Sequence, residues 1–337
     1  MVSIASFDRD AMRLQQRIER FHAVREGILE QVREVIVAQD EVLDQVLIGI
    51  FVGGHCLMTG LPGTAKTLMV RTLAEALGLE FRRIQFTPDL MPSDITGTDI
   101  IEEDISTGHR KWSFVEGPIF ANILLADEIN RTPPKTQSAL LEAMQEHRVS
   151  VGRRTHVLEE PFVVLATQNP LESEGTYPLP EAQLDRFFMK LHVPFPNRDE
   201  LHAILDRTTG EAVTKAEAVL HREDIIQMQA LVRRVPVARH VQDYAIRVIQ
   251  ATHPDGPDAP AVCKQFVRFG ASPRGAQSVL LAAKIRALFD GRFAASIDDV
   301  RAVVHPALRH RMLLNFEGEA EGIKTDQLID AIVKSVA

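Results

Sequence analysis

Cysteine is nearly missing from this 337-residue chain, which has only Cys56 and Cys263. Neither belongs to a CxxC pair or has histidines at ligand spacing, so neither a disulfide framework nor a structural zinc organises the fold. A reduced, cytoplasmic protein is the expectation. A basic surplus is missing too. Against 38 lysines and arginines stand 46 acidic residues, a net charge of −8, which argues against a general nucleic-acid binder but leaves room for a local basic patch. There is one tryptophan. No apolar run approaches the roughly 20 residues needed to cross a bilayer. The segment Val42 to Cys56 is too short and ends at Gly53-Gly54. The first residues carry early acids and no apolar core, unlike a secretory signal. Internal repeats and low-complexity segments are absent. What remains is an ordinary globular composition, 45% hydrophobic and 25% charged, at a length that suits one large or two medium domains.

Against that plain background one stretch stands out: Gly60, Leu61, Pro62, Gly63, Thr64, Ala65, Lys66 and Thr67. Before it runs an apolar segment short enough for a buried strand, His55 to Met58. After it, Leu68-Met69-Val70, Leu73-Ala74 and Ala76-Leu77 follow helical spacing. Strand, glycine turn and helix are the context in which such a loop binds phosphate. Its backbone N–H groups face inward, and the helix N-terminus adds partial positive charge. Lys66 would reach the β- and γ-phosphates, and the Thr67 hydroxyl would hold a magnesium ion. The common pattern has glycine where this chain has Ala65; alanine is expected to be harmless there as part of a helical first turn.

Further along, the apolar run Asn122 to Asp127 reads as a strand and is followed directly by Glu128. An acid at the carboxyl end of a buried parallel strand faces the ligand crevice. Asp127 would then support the magnesium shell and Glu128 would polarise the attacking water. The plainer reading is that both acids cap the helix after Thr132-Pro133-Pro134. A second apolar strand, Phe162 to Thr167, ends in Gln168-Asn169-Pro170, where Asn169, with Gln168 as the second candidate, could orient the same water or simply form an Asn-Pro turn. Arg186 follows a short helix and precedes the last strand. In that place it would lie far from its own γ-phosphate and face a neighbouring subunit, an arginine finger in trans; the plainer reading is a surface pair with Asp185. Late in the chain Ser272 can cap a helix with Pro273 at its first position. Arg274 there opposes the helix dipole, which suggests a phosphate-sensing role.

Strands alternating with helices, each strand apolar on both faces, predict a parallel sheet covered on both sides. Five strands are expected, with hairpins inserted at Ile100 to Val115, turning at Ser106-Thr107-Gly108, and at Arg148 to Leu158, turning at Gly152-Arg153. From Pro194-Phe195-Pro196-Asn197 onward only helical patterns follow. The expected division is therefore an α/β core over 1–196 and a small all-α domain over 197–337.

The order of these pieces resembles the AAA+ ATPases, and the MoxR family in particular. The resemblance rests on GLPGTAKT (60–67), LLADEINRTPPKTQSALLEAMQE (124–146), LATQNPLESEGTYPLPEAQLDRF (165–187) and ASPRG (271–275). The family's loop resembles GxPGxAKT, so Ala65 fits it. The resemblance implies a P-loop AAA+ core with a helical lid, a hexameric ring and ATP hydrolysis with magnesium. It also implies a chaperone-like role toward a client protein, often beside a von Willebrand A domain partner. Val37 matches where such proteins line the adenine pocket, and Arg131 could be a second trans contact. Other readings are a DNA-associated motor using Arg148, Arg153 and Arg154, a non-hydrolysing nucleotide switch, and a monomeric metabolite kinase.

Overall fold

The computed structural model describes residues 4–103, 110–170, 175–209 and 215–336. Two helices, α1 (Ile4–Val35) and α2 (Asp40–Val52), lead into the sheet domain. In α2, Val42, Leu43, Val46, Leu47 and Ile50 recur at helical spacing and are buried. Asp40 and Glu41 suit the positive N-terminus, and Gly53 closes the helix in the left-handed conformation at φ 74°. Strand β1 (Cys56–Thr59) runs into the glycine loop and α3 (Lys66–Ala76). Next come β2 (Phe81–Gln85), the short α4 (Pro92–Thr96), and a hairpin of β3 (Gly97–Glu103) and β4 (Arg110–Glu116). Strand β5 (Ile123–Asp127) precedes α5 (Pro134–Glu146). A second hairpin, β6 (Arg148–Val151) and β7 (Arg154–Val157), leads to β8 (Val163–Gln168), α6 (Glu181–Leu184) and β9 (Met189–His192).

Five strands form one parallel sheet in the order β2-β5-β8-β1-β9. Side chains alternate between its faces. Cys56, Met58, Ile123, Leu125, Val163 and Leu165 enter a large core shared with α1, α2, α3 and the C-terminal helices. Leu57, Leu124, Ala126, Val164 and Ala166 enter a second core with Leu140, Leu141 and Phe187. Burial on both faces is why these strands read as unbroken apolar runs. Because the chain passes from β1 to the far edge and returns through β5 and β8, the carboxyl ends of β1, β8 and β5 lie side by side. That edge is where an open α/β sheet binds ligands.

Both inserted hairpins are present. The first begins earlier than the sequence suggests, pairing Gly97 with Glu116, and its expected turn at Ser106–Gly108 lies outside the described residues. The second turns at Gly152, whose φ is 58°.

The C-terminal part is helical: α7 (Arg198–Thr208), α8 (Arg222–Arg234), α9 (Arg239–Ala251), α10 (Ala261–Phe266), α11 (Pro273–Phe289), α12 (Ile297–Leu308), α13 (Phe316–Ala320) and α14 (Thr325–Ser335). It also carries one small antiparallel ladder, β10 (Val267–Phe269) with β11 (Leu313–Leu314). Strands of three and two residues are too short for alternation to show in a sequence.

Candidate functional site

Ten of the residues singled out in the sequence meet at the carboxyl edge of the sheet. Gly60, Pro62, Gly63, Thr64, Ala65, Lys66, Thr67, Asp127, Glu128 and Asn169 line one cleft of about 390 Å³, together with Leu68, Thr167 and Gln168. Leu61 belongs to the loop and contributes its carbonyl, which accepts from Lys66 Nζ at 2.7 Å and from Thr64 Oγ1 at 2.8 Å. Lys66 also donates to Gly60 O at 2.9 Å. The lysine therefore spans the loop it follows. Burial lowers its pKa, and the nearby charges of Asp127 and Glu128 act the other way.

The loop's backbone explains its glycines. Gly63 has φ 80°, and a Cβ on Gly60 would stand 2.7 Å from Val193 O. Ala65 departs from the expected helical first turn: it is left-handed, with φ 59° and ψ 19°. The backbone must reverse locally to turn its N–H groups inward before α3 starts, and the residue at that reversal takes a positive φ. An alanine there is strained by about 1 kcal/mol relative to glycine.

Asp127 and Glu128 end β5 with different partners. Asp127 Oδ2 accepts from Arg83 Nη2 at 2.7 Å, and its Oδ1 from Thr167 Oγ1 at 2.5 Å. Glu128 is left-handed, φ 58° and ψ 48°, a conformation uncommon for residues other than glycine, and it ends the strand path at the turn 129–131. Its backbone N–H donates to Thr167 Oγ1 at 2.9 Å. Its Oε2 accepts from Gln85 Nε2 at 2.7 Å and from Arg131 Nη1 at 2.9 Å. The two acids are thus held by β2, β8 and the following turn, and they do not serve as caps of α5, whose N-cap is Pro133. Among the described residues no cluster of three or more His, Cys, Asp or Glu could hold a metal. The Thr67 hydroxyl and the Asp127 carboxylate line the same cleft, a sparse oxygen set that fits a magnesium ion whose other ligands a nucleotide and water would supply.

Val37 is half-buried in the turn between α1 and α2 and does not line the phosphate cleft. The turn itself touches the loop, since Gln39 Nε2 donates to Thr64 O at 3.3 Å.

Arg186 and Arg274 stand apart from that cleft. Arg186 donates to Leu141 O at 3.1 Å and lines a separate polar cleft of about 610 Å³ with Glu142, Gln145, Glu146 and Arg148. It is not paired with Asp185. That carboxylate accepts from Ser272 Oγ at 2.9 Å and from Arg311 Nε at 2.8 Å, with Arg274 Nη1 at 3.9 Å. Ser272 caps α11 as expected, accepting from Arg274 N at 3.2 Å. The sequence reading missed Gln85, Arg83, Thr167 and Arg311. Gln85 and Thr167 were within reach of the strand-end rule that found Asp127. Arg311 carries no sequence signal, because, apart from Ala307 O one turn back, its partners lie more than 120 residues away.

Loop, strand order and helical lid together define the class: a P-loop ATPase of the AAA+ type. Residues 55–189 match the model of the ATPase family associated with various cellular activities (AAA), and residues 260–332 match the AAA lid domain. Chaperone MoxR1 of Mycobacterium tuberculosis is 42% identical over 94% of this chain and 82% of its own length. The uncharacterized protein YeaC of Bacillus subtilis is 40% identical over 94% of this chain and 96% of its own. The crystal structure of an ATPase candidate from Cytophaga hutchinsonii superposes with a TM-score of 0.90 at 38% identity, covering 97% of this chain and 98% of that one. This chain belongs to the MoxR family of AAA+ ATPases, and its reaction is ATP hydrolysis.

Proposed function

We propose that the protein works as a homo-oligomeric ring, six subunits by family resemblance, that couples ATP hydrolysis to the remodelling, maturation or activation of a client protein. The observation that carries this reading is the separation of Arg186 from its own chain's phosphate cleft. With Arg83 and Arg131 engaged by Asp127 and Glu128, an arginine that completes the charge balance of phosphoryl transfer would come from a neighbour. The name of the Mycobacterium tuberculosis relative, a chaperone, supports the client role. A von Willebrand A domain protein is the adaptor we favour, and the cytoplasm the compartment. No described helix is long and apolar enough to cross a membrane. Nucleic acid is not part of the proposal: Arg148 on the second hairpin is paired with Glu146 at 3.1 Å.

In the proposed reaction Lys66 exchanges its loop carbonyls for β- and γ-phosphate oxygens, while the N–H groups of residues 60–67 hold the rest of the chain of phosphates. Thr67 and Asp127 would hold magnesium, which when bound would supply positive charge to the phosphates. Glu128 accepts hydrogen bonding from water and aligns it on the γ-phosphorus, with Asn169 donating its amide to the same water. Gln85 and Arg131 hold the Glu128 carboxylate in place. As the water oxygen bonds to phosphorus it gives up a proton toward Glu128, the bond to the bridging oxygen breaks, and ADP and inorganic phosphate leave; Arg186 of the adjacent subunit meets the charge that develops. Val37 would flank the base, and Arg274 would report the γ-phosphate to the lid.

Turnover per subunit measured against protein concentration, with mass determined in parallel, tests the proposal. Turnover that rises with concentration as the mass reaches about six subunits is expected. Concentration-independent turnover from a monomer would defeat the ring and the trans role of Arg186 together.

A further inference from the structure

Three consecutive lid residues just beyond α12 grip one short segment of the core. Arg309 Nη1 donates to Lys190 O at 3.1 Å. His310 Nε2 donates to Phe187 O at 3.0 Å. Arg311 donates to Phe187 O at 2.7 Å, to Phe188 O at 3.1 Å and to Asp185 O at 3.3 Å, besides its ion pair with the Asp185 carboxylate. Every one of these carbonyls lies within residues 185–190, the segment that carries Arg186. The Arg311 side chain is only 2% exposed. His310 is buried and held neutral by that burial and by the flanking arginines.

A buried ion pair adds little net stability over well-packed apolar side chains of the same size. What it supplies here is direction: a planar guanidinium with its donors spent on successive carbonyls fixes a backbone segment in position and orientation. The lid has a second hold on the same place. Ser272, the cap of the helix that bears Arg274, donates to the Asp185 carboxylate, and Arg274 itself stands 3.9 Å from it.

We propose that Arg309, His310 and Arg311 are positioning residues for Arg186: they set where the finger stands against the neighbouring subunit's phosphates, so that displacement of a subunit's lid displaces the finger it offers. This rests on the trans reading of Arg186. Asp185 then joins the two ends of the device. An Arg274 drawn toward a γ-phosphate leaves Asp185, and the same lid that carries Arg274 carries Arg311. Nucleotide state in one subunit would thereby be written into the finger presented to the next, through a rigid element that both sites share.

The test separates the finger-giving subunit from the hydrolysing one. Lys66→Ala subunits can give only a finger, and Arg186→Ala subunits can give only a working cleft. A mixture of the two regains turnover if the finger acts in trans; no regain would remove the trans reading and the latch with it. Arg311→Lys is then added to one partner at a time. Added to the finger-giving Lys66→Ala subunit, it is expected to lower kcat of the mixture about tenfold or more with KM unchanged, as misplacement of a reacting group does. Added to the Arg186→Ala subunit, it is expected to change kcat less than about twofold. Equal loss in both placements, or loss in neither, overturns the proposal. If Arg311→Lys fails to assemble by mass, Arg309→Gln takes its place in the same two positions with the same deciding outcomes, since it removes only the bonds to Lys190 and Asp326.

Discussion

The phosphate edge of the sheet and the lid junction are both built from arginines, acids and backbone carbonyls, yet they are opposite in kind. At the phosphate edge the groups are partly open to water and their backbone is strained. Ala65 and Glu128 hold positive φ, Lys66 is satisfied by loop carbonyls that a phosphate can replace, and Arg83 beside Asp127 is 46% exposed. At the junction Arg311 is buried and bonded to Asp185 and to core carbonyls. Strain and exchangeable bonds suit a place that must accept substrate. A buried guanidinium bonded to several carbonyls suits a place that must carry force without yielding.

Breaking the junction should give the largest effect. Arg311→Ala removes a buried ion pair and leaves several carbonyls without donors. It is expected to destabilise the protein by about 3 kcal/mol in a urea melt. A loss below about 1 kcal/mol would mean that the junction is as yielding as the phosphate edge. At that edge the expected damage is to rate and not to stability. Glu128→Gln keeps the shape of the side chain but loses the carboxylate proposed to polarise water. Turnover should fall by about 10²-fold or more while nucleotide affinity and melting midpoint stay close to the parent. Parent-rate turnover would remove Glu128 from its role. The smallest effect sharpens the contrast in strain. Ala65→Gly relieves a left-handed alanine and should stabilise by at most about 1 kcal/mol, with the entropy of glycine offsetting part of the gain. Destabilisation instead would show that Ala65 is not strained.

Much of the phosphate edge was legible in the chain because its signals are local. The loop, the acids after β5 and the amide after β8 each follow an apolar strand at fixed spacing, and parallel strands buried on both faces announce themselves as uninterrupted apolar runs. The runs His55 to Met58, Asn122 to Asp127 and Phe162 to Thr167 fall within a residue of β1, β5 and β8. The conformation of Ala65 was not legible, since φ at the start of a helix depends on how the loop folds over its ligand site. Nor were Gln85 and Arg83 as partners of Glu128 and Asp127. Register pairs Gln85 with Asp127 across β2 and β5, and no sequence periodicity reports register between strands that are about 40 residues apart. The ladder of β10 with β11 was too short to show.

Sequence alone determined the class of fold, the phosphate loop, the acidic pair and the family, because each depends on side-chain order within local strand-turn-helix units and on the order of those units along the chain. Tertiary structure alone decided that Arg186 lies off its own cleft, that Asp185 turns from it to Arg311 and Ser272, and that the lid grips the segment between them. Those contacts join residues some 85 to 125 positions apart, and only the packing of the lid against the sheet brings such distant charges within hydrogen-bond reach.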